Sequence, residues 1–339
     1  MEINKITVIG GGSWGCALAR ILGDNGISVL IYDIDETAIN EINEFHTNKS
    51  KLLDGVLPDC VKGTVSLKEA VCNGDLILLV VPTKVTRGIL ENINQLLIEN
   101  KQGKKLFINA SKGIEPDTFK RVSEIVYEVI DNKFIEGFVA LTGPSHAEEV
   151  VLQKLTMVAA ASDNEEHNKI VQRIFSNKTY FRVYTVNDLI GAELGGSLKN
   201  VYAIVAGCLD ELGYGANAKA ALITRGLAEM KRLAIALGGK EETLNGLTGV
   251  GDLIVTCTSK LSRNYQAGQK IARGIDIYQT LESMPMVVEG ARTCISAYQA
   301  ASYLGVDVPI INSIYNVVYL GKNPIDEIKQ LMSRTLKGE

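Results

Sequence analysis

Six residues near the start of the chain, G-G-G-S-W-G at positions 10–15, constrain the fold more than any other feature of the sequence. They follow the apolar run Lys5–Ile9 directly and lead into a helical pattern. Gly10 suits a tight turn, Gly12 lets a pyrophosphate approach the backbone, and Gly15 lets a helix pack closely on a strand. The helix start adds unpaired N–H groups and partial positive charge for phosphates. In this strand–turn–helix context the spacing predicts a dinucleotide site rather than a turn that binds nothing.

The first half of the chain alternates short apolar runs with helical patterns. The runs are continuously apolar, as expected of strands that are covered on both faces. This βαβ rhythm predicts a Rossmann-like doubly wound parallel sheet. The predicted strands are Lys5–Ile9, Ser28–Tyr32, Leu76–Val81, Lys105–Asn109, Phe138–Leu141 and Leu155–Ala160.

Strand-like runs become scarce after about Asp188, and long helical patterns take their place. The chain has 339 residues, the length of about two domains. We expect a doubly wound domain at residues 1–187 and an all-α domain at residues 188–339, joined without a flexible linker. The predicted helices of the second domain are Asp188–Leu212, Asn217–Leu237, Asn264–Arg273, Thr293–Leu304 and Pro309–Leu320.

Charge and hydropathy exclude several classes of protein. Lys and Arg number 35 and Asp and Glu 39, for a net charge of −4, which gives no electrostatic reason to expect nucleic-acid binding. The longest apolar run, Leu76–Val81, is too short to span a bilayer. The first residues lack a basic region followed by a long apolar stretch, so a signal peptide is not expected. We expect a soluble cytoplasmic protein without stable membrane insertion.

Cysteines and histidines predict no metal site. The six cysteines, at positions 16, 60, 72, 208, 257 and 294, form no CxxC pair, and their spacing suits neither zinc nor a disulfide framework. Buried reduced thiols are expected instead. With only three histidines, His46, His146 and His167, a histidine cage is not expected, and a catalytic base of another type should exist.

Asp33 ends the second predicted strand, 23 residues after the first glycine of the loop. An acidic side chain near this position bonds the hydroxyl groups of an adenosine ribose. Its carboxylate would repel a 2′-phosphate, and the next residue, Ile34, supplies no cation. Taken alone, this position favours NAD over NADP. The alternative is a solvated aspartate at a strand end.

Lys199 lies on a helical pattern with small residues on the same side: Ala192, Gly195, Ala203 and Ala206. Adjacent glycines at 195 and 196 disfavour a helix, which suggests close approach by a substrate or by another chain segment. A partly desolvated lysine has a depressed pKa and can exchange protons near neutral pH. The alternative is a surface lysine whose stem covers apolar atoms.

Asp252 follows G-V-G at 249–251, and Thr256 lies one turn later on the same face of a short helical run. Asp252 could orient a lysine or accept a substrate hydroxyl, and the alternative is an N-cap aspartate. Ser262 fits the N-cap of the next helix, where Arg263 adds a fork of donors and Asn264 an amide. Together with the helix N-terminus they predict a site for a phosphate monoester; the alternative is a simple cap beside a solvated arginine.

Two loops follow predicted strands at the edge where ligands gather in open α/β sheets. Ser111-Lys112-Gly113 follows Lys105–Asn109, and G-P-S-H-A at 143–147 follows Phe138–Leu141. Both loops should therefore open onto one crevice. For each, the alternative is a tight turn with no ligand.

Seven ordered stretches, spread over almost the whole chain, resemble the bacterial glycerol-3-phosphate dehydrogenases. They are GGGSWGCALA (10–19), NASKGIEP (109–116), LTGPSHAEEV (141–150), IGAELGGSLKNVYAI (190–204), NAKAALITRGLAEM (217–230), LTGVGDLIVTCTSKLSRN (247–264) and VVEGARTC (287–294). The resemblance implies reversible reduction of dihydroxyacetone phosphate to sn-glycerol 3-phosphate by NAD(P)H. It also implies a supply role for glycerophospholipid synthesis, and a Rossmann domain followed by a helical one.

The resemblance assigns roles residue by residue. Lys199 resembles the proton-transfer residue, and its implied catalytic neighbours are Lys112, Asp252 and Thr256. The implied substrate contacts are Lys112, Gly143, Ser145, Lys199, Asp252, Ser262, Arg263 and Asn264. The implied cofactor contacts are Ser13, Trp14, Lys112, Ala147, Arg263, Val287 and Glu289, beside Gly10, Gly12, Gly15 and Asp33 from the loop and strand patterns.

Two positions depart from the family pattern near the expected adenosine end. Many relatives carry Arg or His where this chain has Ile34, and a common N-x-x-Y-L-P-G stretch reads K-S-K-L-L-D-G at 49–55. Both departures argue against the usual NADPH preference and agree with the reading of Asp33. They leave the reacting end of the cofactor unchanged.

Two other functions stay open. A β-hydroxyacid or 6-phosphogluconate-type dehydrogenase shares the architecture and a helix-borne lysine, and activity with those substrates would favour it. A non-catalytic NAD-binding sensor is disfavoured because a mere binder needs none of Lys112, Lys199 and Asp252. Apolar helix faces in the second half could bury within one chain or between two, so a homodimer is open as well.

Overall fold

The computed structural model describes residues 3, 5–115, 118–284, 288–336 and 338. The chain divides into two compact units. The first comprises residues 1–112 and 120–193, and the second comprises residues 113–119 and 194–339. The division falls inside one long helix, after Glu193, rather than in a linker. The expected domain limits of 1–187 and 188–339 stay a prediction.

The first unit is built on an eight-stranded sheet, with strands in the order β10-β9-β8-β7-β6-β1-β2-β5. All neighbours run parallel except β8 and β9, which are antiparallel. A separate two-stranded hairpin is formed by β3 and β4. The strands are β1 (Lys5–Ile9), β2 (Ser28–Tyr32), β3 (Thr47–Asn48), β4 (Leu52–Val56), β5 (Val61–Thr64), β6 (Leu76–Leu79), β7 (Lys105–Asn109), β8 (Ile135–Thr142), β9 (Thr156–Ala161) and β10 (Phe181–Val186).

Apolar clusters cover both faces of this sheet. In β6, Leu76 and Leu78 belong to one cluster, whereas Ile77 and Leu79 belong to the other. A strand buried on both faces must be apolar at every position, which is why its run does not alternate. The helices of the unit are α1 (Ser13–Asp24), α2 (Glu36–Phe45), α3 (Leu67–Asn73), α4 (Thr83–Glu99), α5 (Val122–Val129), α6 (Ala147–Val150) and α7 (Glu165–Phe175).

The predicted Rossmann-like sheet is confirmed, with three differences. β9 runs antiparallel to β8, and their connection holds only the one-turn helix α6, whereas parallel strands are usually joined by a longer helix that crosses the sheet. β5 was not predicted, since its sequence V-K-G-T is barely apolar. β10 was not predicted either, because it is an edge strand that alternates buried and exposed residues from Phe181 to Tyr184.

The second unit is helical, as predicted, and its described residues include no strand. α8 begins in the first unit and continues into the second. The prediction missed α10, α13 and α16, which are short. The helices are α8 (Leu189–Glu211), α9 (Gly215–Ala236), α10 (Glu241–Leu244), α11 (Asp252–Thr258), α12 (Arg263–Ala272), α13 (Ile277–Glu282), α14 (Glu289–Leu304), α15 (Pro309–Leu320) and α16 (Pro324–Met332), with a π-helical turn at Leu247–Gly251.

Over the described part of the chain, no helix has the length and apolar character needed to cross a membrane. All six cysteines are free thiols, and four of them are buried. The expectation of buried thiols is wrong for Cys72, which is exposed near the end of the short helix α3, and Cys60 is only half-buried.

Candidate functional site

The nucleotide loop between β1 and α1 depends on three glycines for three different reasons. Gly10 has φ +113°, and a Cβ there would lie 2.8 Å from the carbonyl oxygen of Val80. A Cβ on Gly15 would lie 1.9 Å from the carbonyl oxygen of Gly10. A Cβ on Gly12 would meet no atom within 4 Å. The fold itself therefore requires Gly10 and Gly15, while Gly12 leaves open space in front of the loop, as a bound pyrophosphate would need.

Helix α1 begins at Ser13, directly behind this open space, and no side chain caps its N-terminus. Its first N–H groups and its dipole could therefore bind an anion placed in this space. The Ser13 hydroxyl donates a hydrogen bond to the carbonyl oxygen of Lys51 at 2.5 Å. The next residue, Trp14, is half-buried, and its buried indole Nε1 has no acceptor within the described part of the chain.

Asp33 is fixed at the end of β2 by the backbone of the loop. Its Oδ2 accepts a hydrogen bond from the N–H of Gly11 at 2.6 Å, and its Oδ1 accepts one from Asp35 at 3.0 Å. The carboxylate is thus ordered beside the glycine loop. The following residue, Ile34, leaves 85% of its surface exposed.

The two loops after β7 and β8 contact each other, while their opening onto one crevice stays a prediction. Lys112 donates from its Nζ to the carbonyl oxygen of Gly143 at 3.1 Å, and the Ser145 hydroxyl donates to the same oxygen at 3.0 Å. Gly143 has φ +142°, which disfavours any side chain. Ala147 begins α6 two residues after Ser145. Lys112, Gly143 and Ser145 are therefore joined by hydrogen bonds in the first unit, and Ala147 follows them in the chain.

In the second unit, Lys199 is buried among polar partners. Its Nζ donates to Asp252 Oδ1 and to the Thr256 hydroxyl, the latter at 2.7 Å. The Thr256 hydroxyl donates in turn to the carbonyl oxygen of Asp252 at 2.6 Å, which leaves its lone pairs free to accept from the lysine. Lys199 is 4% exposed and Asp252 is fully buried. A buried ion pair of this kind needs good geometry and further hydrogen bonds to offset its desolvation.

This geometry decides two alternatives that the sequence left open. Lys199 is not a surface lysine that extends its stem over apolar atoms, because its whole side chain is buried. Asp252 is not an N-cap, since Gly251 occupies that position and the Asp252 carboxylate binds Lys199 instead.

Gly195 explains how the Asp252 segment reaches the lysine. A Cβ on Gly195 would lie 2.4 Å from the carbonyl oxygen of Thr248, in the π-helical turn just before α11. Gly195 precedes Lys199 by one turn on the same face of α8. The small residue therefore admits another chain segment, and that segment delivers Asp252 and Thr256 to the lysine. Turns of the π type often occur at functional sites.

The start of α12 forms a second polar group in this unit. Ser262 is its N-cap and accepts a hydrogen bond from the N–H of Tyr265, as predicted. Asn264 donates from Nδ2 to Asn200 Oδ1 at 3.0 Å and accepts at Oδ1 from the N–H of Gly290 at 2.9 Å. The amide of Asn264 thus joins α8, α12 and the start of α14.

Backbone packing sets the position of this group relative to Lys199. A Cβ on Gly207 would lie 1.9 Å from the carbonyl oxygen of Tyr265, and one on Gly268 would lie 2.0 Å from that of Ile204. Two glycines on facing helices thus let α8 and α12 pack with their backbones in contact. Lys199 lies on α8 and Arg263 on α12, so both are carried by this closely packed pair of helices.

The remaining predicted contacts are placed as follows. Glu289 is the first residue of α14, next to the N–H that binds Asn264. Val287 lies outside the described residues. Burial raises the pKa of Cys257, whose helix also carries Asp252, to about 12. Within the described ranges, no three metal-binding side chains come together.

Comparison with known proteins identifies the family. A sequence model described as the NAD-dependent glycerol-3-phosphate dehydrogenase N-terminus matches residues 5–168. A second, described as the C-terminus of the same enzyme, matches residues 188–329. The chain belongs to the glycerol-3-phosphate dehydrogenase family. The resemblance seen in the seven sequence stretches is thereby confirmed.

Close relatives span the whole chain. A glycerol-3-phosphate dehydrogenase [NAD(P)+] of Macrococcus caseolyticus is 47% identical over 99% of both chains. That of Geobacillus thermodenitrificans is 50% identical over 99% of this chain and 97% of its own. The crystal structure of glycerol-3-phosphate dehydrogenase from Coxiella burnetii is 31% identical, with a TM-score of 0.91 and coverage of 98% and 99%. A D-mandelate dehydrogenase, at 14% identity and a TM-score of 0.62, shares only the fold.

Sequence reasoning missed Asn200 in this glycerol-3-phosphate dehydrogenase family member. Its carbonyl group holds Asn264, and it adjoins Lys199 in the chain. The stretch L-K-N at 198–200 contained the signal, because a polar residue next to a buried lysine needs a partner of its own. The partner lies 64 residues away, so the pairing itself had no local signature.

Proposed function

We propose that this chain catalyses the reversible reduction of dihydroxyacetone phosphate to sn-glycerol 3-phosphate with NADH or NADPH. When bound, the nicotinamide supplies a hydride to C2 of the ketone and is oxidised to NAD(P)+. The single observation that carries the proposal is the buried Lys199, bonded to Asp252 and Thr256. Such a group can supply the one proton that the reduced C2 oxygen requires.

Lys199 is the proposed proton donor in its ammonium form. Addition of hydride breaks the C2=O double bond and leaves an alkoxide, which takes a proton from Nζ and becomes the product hydroxyl. In the oxidative direction, the neutral amine takes that proton back as the hydride leaves. Asp252 and Thr256 hold the Lys199 nitrogen in one position, and a fixed proton donor favours transfer to a substrate oxygen that binds beside it.

The proposed phosphate site is the N-terminus of α12. Its ten residues give an ordered dipole, and Ser262, Arg263 and Asn264 stand at its start. The guanidinium of Arg263 offers a planar fork of donors that matches phosphate oxygens. Binding energy from the phosphate orients the reacting carbon. In the first unit, Lys112, Gly143 and Ser145 are proposed as further substrate contacts, and Lys112 adds positive charge where negative charge develops.

For the cofactor, the loop glycines and the uncapped start of α1 are the proposed diphosphate site. Asp33 favours NAD over NADP, since its ordered carboxylate would repel a 2′-phosphate and Ile34 provides no cation. We assign the product to glycerophospholipid synthesis and the enzyme to the cytoplasm. The other proposed cofactor contacts are Ser13, Trp14, Lys112, Ala147, Arg263, Val287 and Glu289.

A substrate and cofactor panel tests this function. The purified chain is mixed with NADH or NADPH, and absorbance decay is followed after adding dihydroxyacetone phosphate. We expect rapid decay with this substrate and a higher kcat/KM for NADH than for NADPH. The reverse assay uses NAD with sn-glycerol 3-phosphate, a β-hydroxyacid or 6-phosphogluconate. Turnover of either of the last two without turnover of the glycerol phosphate would reject the proposal.

A further inference from the structure

The hairpin β3–β4 contacts the nucleotide loop at its turn, residues 49–51. Two hydrogen bonds hold it there, one from the residue before the turn and one to the last residue of the turn. Asn48, which is 2% exposed, donates from Nδ2 to the carbonyl oxygen of Gly11 at 2.8 Å. On the other side of the turn, the carbonyl oxygen of Lys51 accepts the hydroxyl of Ser13 at 2.5 Å. Because both bonds are made by the loop itself, the turn is held at the start of α1.

This turn carries two exposed lysines, Lys49 and Lys51. Neither ammonium forms an ion pair with the part of the chain that the structure describes. Their surroundings differ, however, because Glu41 accepts the backbone N–H of Lys49 at 2.9 Å and so places a carboxylate beside that residue. The backbone N–H of Lys51 donates instead to the carbonyl oxygen of Asn48 at 3.1 Å. Lys51 is also anchored on Ser13, the first residue of α1.

The loop and the first turns of α1, residues 10–19, contain no Lys or Arg. The anion site therefore offers backbone N–H groups and a helix dipole, but no full positive charge of its own. A dinucleotide diphosphate is a dianion. Lys51 is a compact ammonium on a flexible four-carbon stem whose backbone is bonded to the first residue of the anion-binding helix.

We propose that Lys51 closes the diphosphate site, with its ammonium on the phosphate oxygens opposite the N-terminus of α1. This inference rests on the proposed cofactor use and adds a binding residue to it. The contact is with the diphosphate rather than with a 2′-phosphate, because Lys51 is anchored on Ser13. Asp33 lies at the proposed position of the adenosine ribose, where its carboxylate would repel the 2′-phosphate of NADPH. NADH and NADPH share the diphosphate and should both depend on Lys51.

The test is the affinity of the Lys51→Gln variant for NADH and for NADPH, measured at low salt by quenching of Trp14, the only tryptophan. We expect both Kd values to rise by the same factor, about fivefold, the size of one solvent-exposed ion pair. Lys51→Arg should restore most of the affinity. Lys62→Gln, which removes another exposed lysine, on β5 of the same unit, should leave both Kd values unchanged.

Two further measurements show whether Lys51 acts through its charge or through the stability of the fold. The Lys51 backbone carbonyl survives in the glutamine variant, so its Tm should equal that of the wild type. At about 1 M ionic strength, where the Debye length is about 3 Å, the affinity difference should shrink. An unchanged Kd in Lys51→Gln, or a loss confined to NADPH, overturns the inference. If the wild-type chain bound neither cofactor, the proposed function would fail together with it.

Discussion

The nucleotide loop and the Lys199 cluster differ in the groups proposed to bind a ligand, which belong to the backbone in the loop and to side chains in the cluster. The loop lies within residues 10–15, and its conformation follows from glycines at fixed spacing. The cluster joins Lys199 to Asp252, 53 residues away, and to Thr256. A backbone site can therefore be recognised from local sequence, while a side-chain site depends on which distant segments meet. The two also differ in how a substitution should damage them.

The largest effect is expected from Lys199→Ala. Loss of the proton donor should lower kcat about a thousandfold, within the range of general acid catalysis. Asp252 would remain buried without its cation, so the free energy of unfolding should fall by about 3 to 5 kcal/mol. The Kd for NADH should stay near the wild-type value, because the loop is in the other unit. Rapid-quench turnover, chemical denaturation and a binding titration measure the three quantities.

The matched control for that experiment is Lys219→Ala. Lys219 pairs with Asp210 in the same unit but remains partly exposed. Its loss should leave kcat unchanged. If both variants lost activity equally, or if Lys199→Ala turned over normally, Lys199 would not be the proton donor.

Two glycine variants distinguish a position of the nucleotide loop that the fold requires from a position that the proposed cofactor requires. Gly15→Ala introduces a Cβ 1.9 Å from the carbonyl oxygen of Gly10, and such overpacking should cost about 3 kcal/mol of stability. Gly12→Ala enters open space, so its Tm should match the wild type while NADH affinity falls at least about tenfold. Thermal unfolding and NADH titration of both variants measure this. Equal loss of Tm in the two variants would contradict this distinction.

A pH titration concerns Glu229, a buried carboxylate that accepts its hydrogen bonds from Tyr202 and from backbone N–H groups rather than from a lysine. Burial raises the pKa of Glu229 to about 7, although the N–H groups of Ile310 and Ile311 donate to it. Since the folded pKa exceeds the unfolded one, its stabilising effect is complete below about pH 4.5 and is lost as pH rises to about 7. This change amounts to about 3 kcal/mol at most.

The measurement is the free energy of unfolding of wild type and Glu229→Gln between about pH 4.5 and pH 8. The wild type should lose stability relative to the variant as pH rises through this interval. A constant difference between the two proteins would mean that Glu229 keeps the same charge in the folded and unfolded states.

A smaller effect is expected from Arg263→Ala. Loss of one charged phosphate contact should raise KM for dihydroxyacetone phosphate about thirtyfold, with a smaller change in kcat. Arg273→Ala is the control at the other end of α12, where the guanidinium binds Glu211 on the surface. Steady-state kinetics at saturating NADH compare the two. A KM that moves equally in both variants would argue against a phosphate site at the start of this helix.

The predictions from sequence succeeded where the physical cause is local. β1, β2 and β7 have the predicted bounds, because a strand that is covered on both faces must be apolar at each position. The start of α12 follows from Ser262, whose hydroxyl binds an N–H three residues away. The edge strand β10 and the hairpin β3–β4 escaped prediction, since half of an exposed strand is polar and its pairing is decided elsewhere.

The candidate site shows the same limit. The motif stretches placed Lys199, Asp252 and Asn264 among the site residues, but no local pattern indicated that Asn200 would hold Asn264. Nor did the sequence reveal that the space beside Gly195 is filled by the carbonyl oxygen of Thr248. These contacts join residues more than fifty positions apart, and their formation depends on how the helices pack.

The sequence alone determined the βαβ framework, the helical second half and the glycine turn, because each depends on neighbours within a few positions. It also determined the family, because the motifs occur in a fixed order along the chain. Tertiary structure decided which polar groups become partners. It buried Lys199 against Asp252, ordered the Asp33 carboxylate against the loop, and anchored Lys51 on Ser13. The physical reason is that buried charges and polar groups need partners, and only the packed chain brings distant donors and acceptors within hydrogen-bonding distance.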